Sequence, residues 1–99
     1  MKYKISQEAL NDLENIWLYT FKTLSSKQAD RYYNLVFDEI EYLSENPNSG
    51  KEYIVIRKGY LRSKVKSHLI FYKINQKNNE IEIIRILHEQ MDIDDNLNY

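Results

Sequence analysis

The hydrophobic period of this chain changes once, at Asn46-Pro47-Asn48-Ser49-Gly50, and that change decides which architectures are open to it. Before the cluster, apolar residues recur every three or four positions; after it they alternate or run in short β-branched blocks. Helices first and closely spaced strands second describe an α+β domain, with a helix pair laid on one face of an antiparallel sheet. At 99 residues there is room for one such domain, 1–99, and none for a second.

The elements follow from local chemistry. Lys2 to Ile5 is a short strand, with Tyr3 and Ile5 on one side. Ser6, with Glu8 in the first turn, starts a helix that runs to about Thr23. Leu10, Leu13, Trp17, Thr20 or Phe21, and Leu24 form its expected buried stripe, with Trp17 in the core. Ser25 and Gln28 resemble a capping box, so a second helix begins at once and packs antiparallel to the first. Its stripe is Ala29, Tyr32 or Tyr33, Val36, Ile40 and Leu43, while Arg31, Asp38, Glu39, Glu41 and Glu45 cover the other sides. Pro47 cannot continue that helix. Tyr53 to Arg57 is then a β-branched run and Lys58-Gly59 a turn. From Leu61 to Lys66 the chain alternates, Leu61, Ser63 and Val65 on one face, Arg62, Lys64 and Lys66 on the other. His68 to Ile74 and Glu80 to about His88 are the last strands, joined by the polar loop Asn75 to Asn79. After Met91 the period is lost, and 91–99 reads as a turn, a short helix or a mobile tail ordered by a partner.

Composition narrows the function classes. The absence of cysteine excludes a disulfide framework and thiol catalysis, and two isolated histidines give no zinc-ligand set, so no metal or cofactor is implied. No run approaches the ~18 apolar residues of a membrane span, and the first residues lack a signal-peptide core, which makes the cytoplasm the expected location. Residues 1–50 carry five Lys or Arg against eight Asp or Glu, 51–85 nine against three, and 86–99 none against four. The resulting −3, +6 and −4 place a basic face on the strands, suited to an acidic protein or nucleic acid, or simply to a solvated edge.

An ordered set of residues then resembles the ParE branch of the RelE/ParE toxins from bacterial toxin–antitoxin pairs. The set comprises Ala9, Leu13, Ile16 and Trp17; Gln28-Ala29 and Tyr32; Leu43 through Asn46-Pro47 to Gly50; Arg57 with Gly59-Tyr60; His68 with Ile70-Phe71-Tyr72; and Arg85-Ile86-Leu87-His88 with Met91-Asp92. The resemblance implies a βααβββ fold with a three- to four-stranded antiparallel sheet. It also implies a cognate antitoxin, toxin–antitoxin hetero-oligomers, and a toxin of the kind used in plasmid stabilisation.

Family members divide by mechanism. RelE-type ribonucleases cut messenger RNA on the ribosome, which needs cations for the phosphate charge and a group that moves protons. Arg57, Arg62, Lys64 and Arg85 are candidate cations, and His88 or the terminal Tyr99 the candidate proton carriers. Where RelE-like toxins place a tyrosine beyond the last-strand arginine, this chain has Met91, and a thioether moves no protons. ParE-like members are implied instead to bind and inhibit DNA gyrase, which requires a surface and no active site, and no sequence-specific nucleic-acid contact. The expected partner-binding residues are Arg57, Tyr60, Arg62, Lys64, Lys66 and Arg85, the same face receiving the antitoxin. A degenerate toxin that only binds its antitoxin and helps repress the shared promoter is a third possibility. For His88 the structural alternative is a hydrogen bond that holds the following turn, for Tyr60 a packing role, and for Arg85 an internal ion pair, for instance with an acidic residue of the tail.

Overall fold

In the computed structural model, which describes residues 1–52, 59–91 and 93–97, the order is β1 (Lys2–Ile5), α1 (Gln7–Thr23), α2 (Ser26–Glu45), a 3-10 turn (Pro47–Ser49), β2 (Lys51–Glu52), β3 (Tyr60–Val65), β4 (His68–Asn75), β5 (Glu80–His88) and α3 (Ile93–Leu97). The expected strand Tyr53 to Arg57, Lys58 of the following turn, and Asp92, Asn98 and Tyr99 lie outside the described residues. Both helix starts are capped as their sequences require. The Ser6 hydroxyl accepts from the Ala9 N–H at 3.0 Å and the Ser25 hydroxyl from the Gln28 N–H at 3.1 Å.

The strands form one five-stranded sheet in the order β1-β5-β4-β3-β2. β2 to β5 are antiparallel neighbours, β3 to β4 and β4 to β5 through short loops, whereas β1 runs parallel to β5 at the edge. That parallel pairing uses the whole helix hairpin as part of its crossover. The β3–β4 turn is tighter than the alternation suggests. Val65 pairs with His68, so Lys66 leaves the strand and occupies the hairpin loop with φ 54°.

The helices cover one face. Ala9, Leu13 and Ile16 of α1 and Val36, Ile40 and Leu43 of α2 pack on Val65, Ile70, Tyr72, Ile81, Ile83 and Ile86. The α2 stripe is the expected one, but α1 is rotated from its expected setting. Leu10, Phe21 and Leu24 are exposed, and Trp17, expected in the core, lies half-buried, stacked on Phe21 with its indole N–H on Asp30 at 2.9 Å. The opposite face, on which the alternation of β3 places Arg62 and Lys64, is not all open to solvent, because α3 folds back over part of it. Leu97 is only 1% exposed and joins Phe71 and Leu87, with Leu69 and Ile93 alongside, in a second small core. β4 is therefore covered on both sides, which explains its unbroken apolar run from Leu69 to Tyr72.

The rotation of α1 has a visible cause. β1 pairs with β5 only as far as Ile83, so the next stretch of that edge has no strand beside it. Groups from the start of α1 take the strand's place: Ser6 donates its hydroxyl to the Ile84 carbonyl at 2.7 Å, and the Asp12 carboxylate accepts from the Ile86 N–H at 2.9 Å. Asp12 also receives Arg85 side-on, Nε to Oδ2 at 2.8 Å and Nη2 to Oδ1 at 3.0 Å. Turning Asp12 to this edge sets Ala9, Leu13 and Ile16 inward and the neighbouring stripe outward.

Arg85 owes its own direction to a β-bulge. Phe71 pairs with Arg85 but Tyr72 with Ile83, leaving Ile84 as an extra residue. Ile81 and Ile83 face the helices before the bulge and Ile86 after it, while Arg85 and Leu87 turn outward.

At the other end of β4, Tyr72 fastens the Asn46–Gly50 cluster. Its hydroxyl donates to the Pro47 carbonyl at 2.8 Å and accepts from the Gly50 N–H at 3.0 Å. A Cβ on Gly50 would overlap that hydroxyl, so glycine here is a packing requirement.

Two stability predictions follow from these fastenings. Asp12→Ala removes the bidentate partner of the part-buried Arg85 guanidinium and the acceptor of the Ile86 N–H, and should lower the unfolding free energy by about 1–3 kcal/mol. Arg85→Ala should cost a similar amount, and the double variant less than the sum, as read from denaturant unfolding. Tyr72→Phe should cost about 1–3 kcal/mol, and Gly50→Ala should be destabilising in Tyr72 protein and milder in the Tyr72→Phe background.

Candidate functional site

Two clefts lie on opposite sides of one end of the sheet. The first, about 580 Å³, runs between α1 and the C-terminal end of β5 and is mostly apolar. Ile16, Leu24, Ile86 and Met91 line it, with Asp12, Tyr19, Tyr32, His68 and His88 as its ionisable groups. The charge of Asp12 is met by Arg85, so the groove is close to electrically neutral.

Its floor holds a small polar cluster. His68 and His88 are direct cross-strand partners, with ring centroids 5.2 Å apart and planes near perpendicular. The Tyr32 hydroxyl reaches His68 Nδ1 at 2.6 Å and the Val65 carbonyl at 3.2 Å, tying α2 to the β3–β4 hairpin. His88 Nδ1 accepts from the Gln90 N–H at 3.1 Å, which is the turn-holding role weighed for it in the sequence. Burial is the main effect lowering the His68 pKa from its ordinary 6.5; repulsion from His88 adds to it, and Asp12 and Glu89 act in the opposite sense.

The second cleft, about 510 Å³, lies on the α3 side of the sheet and is polar. Lys51, Arg62 and Lys64 line it with Ser49, Ser63, Leu69, Glu89 and Ile93. Lys51 and Arg62 are directly opposed across β2 and β3, which gathers positive charge on this side of the sheet edge. Lys64 pairs with Glu89 at 2.8 Å, an exposed contact that holds the Glu89 carboxyl below its usual range. The two clefts meet where the β3–β4 loop passes the turn after β5: Ser67, His68 and Gln90 belong to one, and Lys64, Leu69 and Glu89 to the other.

The residues expected to form a site are thus dispersed. Arg62 and Lys64 stand together, and Lys66 is exposed at the adjoining loop. Tyr60 is not an exposed recognition residue: it is 5% exposed, because Gly59, at φ +93°, turns the chain directly into β3 and pairs Tyr60 with Lys73. Arg85 is committed internally, to Asp12 and, through Nη1, to the Asn96 carbonyl at 3.1 Å and Glu8 at 3.7 Å. The carboxylate it required comes from α1, and the tail supplies a carbonyl. His88 opens to the groove and Arg62 to the polar cleft, with the sheet between them. Arg57 and Tyr99 lie outside the described residues.

Asp12 and the Tyr32–His68 bond were not anticipated. The signal for Asp12 was a lone acid flanked at helical spacing by Ala9, Leu13 and Ile16, opposite a strand arginine in need of a carboxylate. Among the described residues, no helix is long and apolar enough to cross a membrane, and no group of three or more His, Cys, Asp or Glu is placed to hold a metal ion.

Residues 3–93 match the family model described as ParE toxin of type II toxin–antitoxin system, parDE. The chain is 35% identical over 89 residues to Toxin ParE1 of Caulobacter vibrioides, covering 90% of each. It is 33% identical over 96 residues to Toxin ParE1 of Mycobacterium tuberculosis, covering 97% of each. In three dimensions it is similar to a chain of the chromosomal ParDE TA system from P. aeruginosa, with TM-score 0.76, 18% identity, and coverage of 89% of this chain and 95% of that one.

The half-buried imidazole of His68 makes stability depend on pH. The folded chain takes up the His68 proton less readily than the unfolded chain, whose histidine titrates at its ordinary 6.5. Stability from this group is therefore present above that value and is lost as pH falls below it, through the lower folded pKa. Thermal unfolding midpoints should drop on acidification from pH 7.5 to 5.5, and His68→Gln should flatten the dependence; an unchanged slope would refute the assignment.

Proposed function

Because this chain belongs to the ParE toxins of type II toxin–antitoxin systems, we propose that it acts by binding, with DNA gyrase as its target and a cognate antitoxin as its stable partner. One observation carries the binding reading. The sheet separates the cations Lys51, Arg62 and Lys64 from the imidazoles of His68 and His88, and Glu89, the carboxylate beside those cations, is paired with Lys64 and held in its charged form, so among the described residues no cleft joins the basic cluster to a histidine. A ribonuclease needs phosphate-binding charge and a proton carrier within reach of one phosphodiester. A binding protein needs surfaces, and this chain has two that meet at one end of its sheet.

Those surfaces suit an acidic, amphipathic antitoxin segment. Carboxylates fit the opposed Lys51 and Arg62, and apolar side chains fit the groove that Ile16, Tyr19 and Met91 line. Such a segment can wrap the sheet end past the exposed Lys66 and occupy both clefts, giving the hetero-oligomer typical of a neutralised toxin. Plasmid stabilisation is the consequence where the pair is carried on a plasmid, and the cytoplasm is where its target lies.

The decisive test is a supercoiling assay with purified gyrase. The protein should block supercoiling and accumulate cleaved DNA, and the antitoxin from the adjacent reading frame should reverse both. Toxicity accompanied by codon-positioned messenger cuts and normal supercoiling would overturn this in favour of the ribonuclease. Harmless expression without antitoxin would leave only the co-repressor role.

A further inference from the structure

The floor of the apolar groove is made of the two histidines of the chain, and nothing in the binding role alone requires titratable groups there. We propose that partner docking in this groove is proton-linked: the Tyr32–His68–His88 cluster must stay uncharged for an apolar segment to seat, so the complex tightens at neutral pH and loosens under mild acid. This rests on the reading of the groove as an antitoxin site.

The geometry supplies two couplings. The first is desolvation. An apolar segment laid along Ile16, Tyr19 and Met91 removes the remaining water from both imidazoles, which raises the cost of charging either one. The rings already stand 5.2 Å apart, so two cations there would also repel. Burial and His88 lower the His68 pKa even in the free chain.

The second coupling is a hydrogen bond that a proton destroys. His88 Nδ1 is the acceptor for the Gln90 N–H, and a proton placed on that nitrogen would set donor against donor. The turn from Glu89 to Met91 would lose one of its three fastenings, keeping the Glu89 N–H to Ser67 carbonyl and Met91 N–H to His88 carbonyl bonds, and Met91 is part of the groove wall.

The charged and titratable neighbours do not reverse this balance. From α1 come Asp12, whose charge is met by Arg85, and Tyr19; from α2 comes Tyr32. From the turn after β5 comes Glu89, held by Lys64, and from the β3–β4 loop the exposed cation Lys66. Both carboxylates that would favour an imidazolium are already paired with cations.

The test uses the full chain and the antitoxin encoded in the adjacent reading frame. Affinity should hold at neutral pH and weaken as pH falls below the ordinary histidine value, approaching roughly tenfold per pH unit for one linked proton once the free chain takes up that proton. Calorimetry in two buffers of different ionisation enthalpy should register proton release on binding in the acidic range where affinity falls, and the H68Q/H88Q double variant should lose both effects. Tight binding at pH 7.5 that neither weakens in acid nor releases protons overturns the proposal, as does a slope that survives in the double variant. Should the double variant fail to fold, the proton count on the unaltered chain decides. Absence of binding at any pH is a different result, because it removes the antitoxin reading itself.

Discussion

The ion pair between Arg85 and Asp12 ties the sheet to the first helix, and most of the remaining geometry is arranged around it. A bulge at Ile84 turns Arg85 away from the main core, and the shortness of β1 leaves the Ile86 N–H without a strand partner. One carboxylate answers both demands. A part-buried pair of this kind adds modest net stability, because desolvation offsets much of the attraction. Its contribution is orientation. With Asp12 held at the edge, α1 has one allowed rotation, and the choice between its two overlapping apolar stripes is made.

That choice explains where the sequence was legible. The α2 stripe has one apolar face bounded by charge, and it packs as its period requires. In α1, Leu10, Trp17, Phe21 and Leu24 compete with Ala9, Leu13 and Ile16, and the bulkier set looks the better core. The losing stripe is decided by a long-range contact that spans 73 positions, which no local period encodes. The same holds for α3. Its Ile93 and Leu97 are too few to announce a helix, and their burial depends on an apolar outer face formed by Leu69, Phe71 and Leu87. The strand lysines pointed to an outer face free for binding, and they are only part of it.

The candidate site was legible by residue type and less so by position. Arg62 and Lys64 gather as their alternation suggests, and the turn-holding role of His88 is the one its place at a strand end implies. For Tyr60 and Arg85 the sequence left a structural and a binding role open, and the structure takes the structural one in both. An aromatic after a glycine turn and an arginine on an aliphatic strand both look like surface features. Each is absorbed by structure, Tyr60 by the start of β3 and Arg85 by the carboxylate of a helix far away in sequence. The missing signal was the partner, not the residue.

The bulge at Ile84 also bears on the choice between chemistry and binding. With Ile81 and Ile83 facing the helices, an unbroken β5 would send Arg85 into the core and His88 to the outer face, on the side of Arg62 and Lys64. An imidazole and a set of cations would then share one cleft, the arrangement that phosphodiester cleavage requires. The extra residue reverses the alternation. Arg85 goes outward to be neutralised by Asp12, and His88 goes inward to face His68 in the apolar groove. The irregularity that positions the structural arginine therefore also parts the imidazole from the cations, which leaves this end of the sheet better suited to holding a partner than to cutting a nucleic acid.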